Sequence, residues 1–324
     1  HRDLHSFPTR RSSDLNIEFS ELTSDIWGDL DGVSRTKRSF GKGKIYWNVP
    51  PALILQEEGI EKDLDTGISN SNILSWIHRR SSDTDFWFIV NRTDSVMDLN
   101  MKFRISGREA ELWDPVTGNT EVATYRFSKG NTVVPLKLGQ YQSVYVVFNK
   151  KALENSLTIP VKEPVLLSSI NGPWQLRFPA GLGAPETASL PELESLTTST
   201  DEGIKYFSGT VSYSNTFSVP ARWLKEEGSI IIDLGEVGDL AEVIVNGHSA
   251  GIVWCDPFST DITPFLKKGD NTLEINVTNQ WTNRLAGDQR AEPGSKVLNA
   301  SLFMFRARTL DNSGLIGPVK LYKQ

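Results

Sequence analysis

Four residues toward the C-terminal end of this 324-residue chain have the types that bind sugars: Trp254, Trp281, Asn283 and Arg284. An indole face stacks on the C–H face of a pyranose ring, while amide and guanidinium N–H groups donate to its hydroxyls. Trp254 precedes a Cys255-Asp256-Pro257 turn, and residues 281–284 follow an apolar run, so both sets fall next to loops. A structural alternative stands beside this one: the indoles fill a sandwich core and Arg284 pairs with Asp288. His78 and Arg79 end another apolar run. They could face a neighbouring catalytic domain or form an interdomain hydrogen-bonding pair.

Other chemistries fit less well. Glycoside hydrolysis needs two carboxyl groups at a set separation. Glu236, Asp239 and Glu242 cluster, and Asp256 and Asp261 flank a turn, but strand ends and turns are where such residues sit anyway. Nothing marks a pair as acid and base. Gly247-His248-Ser249-Ala250-Gly251 has the spacing of a nucleophile elbow, yet a strand-like Ile252-Val253-Trp254 follows and no His comes after His248. Gly41-Lys42-Gly43-Lys44 lacks the phosphate-loop spacing and precedes a strand. One Cys and four His, two of them in the first five residues, give no metal-ligand spacing. No cofactor is expected in this chain.

The totals narrow the class. A net charge of −6 argues against nucleic acid, and no apolar run is long enough to span a membrane. The elements that must hold these residues are strands. Ile230, Ile232 and Leu234 share one face, Val243 and Val245 share one face of the next strand, and Leu273, Ile275 and Val277 repeat the period of two. Asn246-Gly247 is a hairpin turn whose two residues need positive φ. Leu99, Met101, Phe103 and Ile105 alternate in the same way, and residues 86–90 form an almost wholly apolar strand. Pro50-Pro51 opens a short helix that Gly59 stops. Residues 150–169 show little pattern, and residues 179–203, rich in Pro, Ser and Thr, read as a long surface loop.

Several runs carry a resemblance: VGDLAEVIVNG, DITPFLKKGDNTLEI, VTNQWTNRLAGD, Tyr206-Phe207-Ser208-Gly209-Thr210, and the run from Ser313 to Val319. They are similar to the galactose-binding-like jelly roll of glycoside hydrolases, and the chain from Asn16 onward resembles the C-terminal region of family 106 α-L-rhamnosidases. The resemblance implies that the catalytic carboxylates, and the calcium associated with them, belong to an upstream barrel. It also implies a carbohydrate partner, a periplasmic or secreted location, and a bracing or sugar-binding role for this region. Free-standing carbohydrate-binding modules and plain scaffolds remain as alternatives. Residues 1–15 resemble a translated sequencing-adapter oligonucleotide, with an ordinary disordered terminus as the alternative, and the protein is expected to continue upstream.

The expected class is therefore mainly β, with two β-sandwich domains preceded by the tail of an α/β domain. The expected boundaries are 1–15 non-native leader, 16–80 Rossmann-like remnant, 81–150 small sandwich, 151–169 linker and 170–324 jelly roll.

Overall fold

The computed structural model describes residues 12–68, 72–161, 163–292, 294–298 and 309–324. The chain divides into two compact units. The first runs to Ile89 and adds Met97–Leu138 and Ser143–Thr158; the second holds Val90–Val96, Gly139–Gln142 and Ile159–Gln324.

The first unit opens on α1 (Ser12–Trp27) and an antiparallel hairpin of β1 (Lys37–Phe40) and β2 (Gly43–Tyr46). Helix α2 (Pro51–Glu57) begins on a proline, whose fixed φ suits a first helical turn. Its strands are β3 (Leu64–Asp65), β4 (Leu74–Arg80), β5 (Asp85–Asn91), β6 (Met97–Phe103), β7 (Glu111–Trp113), β8 (Thr120–Val122), β9 (Tyr125–Ser128), β10 (Asn131–Leu138), β11 (Ser143–Phe148) and β12 (Ser156–Leu157). They form two five-stranded sheets, ordered β12-β9-β10-β6-β3 and β4-β5-β11-β7-β8. One buried cluster joins the inner faces, with Trp87, Phe103 and Phe148 edge-on or tilted at its centre. Along β5 the other face puts Phe86 and Phe88 against Tyr145, which explains a strand apolar on both sides.

At the rim of this unit Glu111, nearly buried, accepts from Lys150 Nζ at 2.5 Å and from Trp113 Nε1 at 3.0 Å. Burial pushes its carboxyl up, but these donors outweigh it and the net shift is downward from 4.5. A carboxyl depressed in the folded state stabilises above its unfolded pKa and loses that contribution as pH falls through the folded value. Urea midpoints of Glu111→Gln should therefore lie below those of the parent near neutrality and converge with them as pH falls through the depressed Glu111 value. A difference that grows toward acid would contradict this assignment.

The second unit contains β13 (Val165–Ile170), β14 (Trp174–Arg177), β15 (Thr187–Leu190), α3 (Glu202–Lys205), β16 (Thr210–Val219), α4 (Ala221–Lys225), β17 (Ile230–Asp233), β18 (Glu236–Gly238), β19 (Leu240–Val245), β20 (His248–Val253), β21 (Ser259–Asp261), β22 (Gly269–Thr278), α5 (Thr282–Arg290), β23 (Gly314–Gly317) and β24 (Val319–Lys323). A four-stranded sheet, β13-β24-β17-β21, and a six-stranded sheet, β15-β14-β16-β22-β19-β20, share a single buried cluster. The short pair β18-β23 is separate. Ile230, Ile232, Leu234, Val243, Val245, Ile275 and Val277 are all fully buried, as the period of two requires. Asn246 and Gly247 take φ of 52° and 80°, the turn expected between β19 and β20.

The mainly-β class with two sandwiches is what the structure shows. Several boundaries differ from the expectation. Strands β3 and β4 already belong to the two sheets of the first sandwich, upstream of residue 81, because Leu64 and Leu74 sit in its core. Between Asn16 and that point lie a helix, an antiparallel hairpin and a second helix. The stretch 151–169 is not featureless: β12 pairs with β9, and β13 pairs with β24. Nor is 179–203 a bare loop, since β15 pairs with β14 and Leu196 is buried in a 3-10 turn. Of the leader, residues 1–11 lie outside the described residues and 12–15 fall in α1.

Candidate functional site

The second unit carries a polar cleft of about 370 Å³. Three separate segments build it. Asp239 comes from the turn between β18 and β19; residues 279–283 come from the exit of β22 and the first turn of α5; Asp311, Asn312 and Ser313 come from the approach to β23. Among the described residues no Lys or Arg lines it.

Each segment is pinned. Asp239 sits at φ 89°, a region that Asp tolerates better than most residues. Its carboxylate accepts from Gln280 N at 2.8 Å and Gln280 Nε2 at 2.7 Å. Asn279 bridges to Gly209 N at 2.8 Å and Phe207 O at 2.9 Å, holding the end of β22 against the entry to β16. Asn283 Nδ2 donates to Asp311 O at 2.7 Å, and its Oδ1 accepts from Asp311 N at 2.9 Å. Ser313 is locked by its backbone: its N donates to Ser195 Oγ at 3.1 Å and its O accepts from Leu196 N at 2.9 Å. That leaves polar groups for a ligand. Among the described residues the Asp311 carboxylate and the Thr282 hydroxyl have no hydrogen-bond partner, and Ser313 Oγ is buried without one.

The sequence-derived residues fall in different places. Trp281 lies between the lining residues Gln280 and Thr282, at the N-terminus of α5, and is 47% exposed. Trp254 is 59% exposed; neither indole is among the lining residues, and neither fills the core. Asn283 lines the cleft, but both ends of its amide are committed to Asp311. Arg284 is buried, pairs with Asp288 at 3.1 Å and lies over the Tyr206 ring. Gly287 keeps that packing open, since a Cβ there would meet Arg284 Nη2 at 2.6 Å.

His78 stacks on Trp87 at 3.8 Å, with Nδ1 2.9 Å from Asp63 and Nε2 3.0 Å from Asp85. Arg80 Nε reaches the same Asp85 at 2.8 Å. All these partners lie in the first unit. Arg79 is exposed. The acids noted in the sequence have local work: Glu242 accepts from Ser249, Glu236 from Asn312, and Asp261 from Thr263. Burial raises the Asp261 carboxyl, but the Thr263 bonds outweigh that and hold it below its ordinary value. Asp311, Ser313, Thr282 and Gln280 were not legible as site residues. No linear spacing joins three segments this far apart. Among the described residues, no three His, Cys, Asp or Glu side chains converge on a possible metal position. No helix among them is long and apolar enough to cross a membrane.

Comparison with known proteins bears on this fold. A solved rhamnosidase from Novosphingobium sp. PP1Y superposes with a TM-score of 0.84 and 37% identity, covering 95% of this chain and 29% of that one. The chain is similar to a rhamnosidase. A family model described as alpha-L-rhamnosidase, glycoside hydrolase family 106, matches residues 6–127. A curated protein of Formosa agariphila, "Putative beta-glucuronidase", is 37% identical over 185 residues, 50% of this chain and 16% of that protein. The β-D-glucuronidase of Dictyoglomus thermophilum is 24% identical with a TM-score of 0.35, covering 48% of this chain and 27% of that one. This chain thus spans less than a third of the rhamnosidase and of the curated protein.

Proposed function

We propose that this chain is the non-catalytic accessory region of an α-L-rhamnosidase-like glycoside hydrolase, bracing a catalytic barrel that lies outside it. What carries the reading is the likeness to the rhamnosidase, which extends over 95% of this chain yet accounts for only 29% of that protein. Two further features support it. The N-terminal helices and hairpin leave Phe19, Leu22, Trp47, Leu53 and Leu55 well exposed, an apolar face that suits burial against another domain. A general acid needs a raised pKa, whereas among the described residues the carboxyl groups with a clear shift, Asp31, Glu58, Glu111 and Asp261, are all shifted down.

In this reading the second sandwich is a galactose-binding-like jelly roll, the partner is carbohydrate, and the protein is periplasmic or secreted. Calcium belongs with the barrel's carboxylates. The purified chain should show no turnover of an aryl α-L-rhamnoside, measured by release of the phenol. Steady release that scales with chain concentration would overturn the non-catalytic assignment.

A further inference from the structure

We infer that the polar cleft between the β18–β19 turn, the N-terminus of α5 and the approach to β23 binds a neutral sugar ring, with Trp281 as its stacking platform. The argument starts from what the cleft leaves unused. A buried hydroxyl without a partner is costly, because it has given up water and received nothing. Ser313 Oγ is such a group, 1% exposed and at the cleft wall. Around it stand the Asp311 carboxylate, the Thr282 hydroxyl and the remaining acceptor capacity of Asp239. A carboxylate accepts from two neighbouring hydroxyls at once, and hydroxyl side chains both give and take. Vicinal sugar hydroxyls, each a donor and an acceptor, complement that set.

Charge selects within the class. Among the described residues two carboxylates and no Lys or Arg line the cleft. Glu236, bonded to Asn312 at 3.0 Å, adds a third negative group behind the wall. A uronate or a sulfated sugar would bring its anion against them in a partly enclosed space, where repulsion is poorly screened. Bare cations fit less well, since among the described residues no three acidic or imidazole ligands converge there. Trp281, itself outside the lining, would supply the apolar half of the site from the rim. It is half-exposed, is fixed at the start of α5 and has cleft-lining residues on both sides in sequence. Rigid aromatic platforms cost little entropy when a ring stacks on them.

The backbone around these groups is already held by the Asp239–Gln280 and Asn283–Asp311 bonds, so binding requires little ordering. The sugar assignment rests on the reading of this chain as part of a carbohydrate-processing protein. The donors and acceptors of the cleft stand without it.

The test is titration of the full chain with the methyl glycosides of L-rhamnose, D-mannose, D-galactose and D-glucose, and with D-glucuronate, followed by calorimetry and by Trp fluorescence. At least one neutral glycoside should bind saturably and in preference to glucuronate. Asp311→Asn and Trp281→Ala should each weaken that binding about tenfold. Asp311→Asn keeps the backbone clamp to Asn283, and Trp281 is solvent-facing, so unchanged urea midpoints should accompany both losses. No saturable binding of any neutral glycoside, a preference for glucuronate, or affinity unaffected by both substitutions would overturn the inference. Turnover of an aryl rhamnoside by the same preparation would overturn the accessory-region reading and leave the cleft to be judged on binding alone.

Discussion

Replacing Asp288 by alanine should destabilise the second unit by about 3–5 kcal/mol, among the largest effects of any single polar substitution in this chain. The carboxylate is 1% exposed and the Arg284 side chain 7%, with 3.1 Å between Nη2 and Oδ1. Removing one partner strands a buried guanidinium. The pair is not there to stabilise its helix. Arg284 lies near the N-terminus of α5 and Asp288 nearer its C-terminus, the reverse of what the helix dipole favours. The role of Asp288 is tertiary: its oxygens accept from Val297 N at 3.0 Å and Leu298 N at 2.8 Å. It thus ties the chain that leaves α5 back onto the helix. Urea unfolding followed by Trp fluorescence measures the loss. An Arg284→Met, Asp288→Leu double variant should lose less than Asp288→Ala, since no buried charge remains unpaired. A loss below about 0.5 kcal/mol for Asp288→Ala, or a double variant that falls as far, would show that the pair is not a buried anchor.

Gly314→Ala should cost about 2–5 kcal/mol from two sources that add. Gly314 stands at φ 85°, which a side chain pays to occupy. Its new Cβ would also press into Tyr213 Oη and lie 2.8 Å from Leu196 Cγ. Neither neighbour can retreat. Tyr213 is fully buried in the core, with its hydroxyl pushed up by burial, and Leu196 is 2% exposed. Tyr213→Phe removes the atom that is struck, so the Gly314→Ala, Tyr213→Phe pair should recover part of the loss relative to the sum of the singles. Strict additivity would mean that the clash is relieved elsewhere and that the cost lies in the backbone alone.

The sandwiches were legible because their core strands are long enough to show a period of two. Ile230, Ile232 and Leu234, or Leu273, Ile275 and Val277, declare a buried face without any partner strand in view. Strands β3 and β12 have two residues each, too few for any period. Helix α5 was hidden for a different reason. Its buried residues include Asn283, Arg284 and Asp288, so the face turned inward is polar and no apolar stripe marks it. This also explains why the sugar-contact set was only partly legible. Asn283 and Arg284 have the right chemistry but are committed to Asp311 and Asp288. Trp281 remains available. The acids and hydroxyls of the cleft come from residues 239, 282, 311 and 313, which only the folded chain brings together.

The position of β24 has a consequence for synthesis. It lies inside the four-stranded sheet, between β13 and β17, pairing Ile170 with Val319 on one side and Ile232 with Leu321 on the other. A ribosome making this chain releases β13 and β17 long before β24 has been translated. Through that interval both strands carry an open ladder facing an empty slot, and Ile230 and Ile232 lack the neighbour that covers them. Native pairing on these facing edges of β13 and β17 therefore waits for the C-terminal residues.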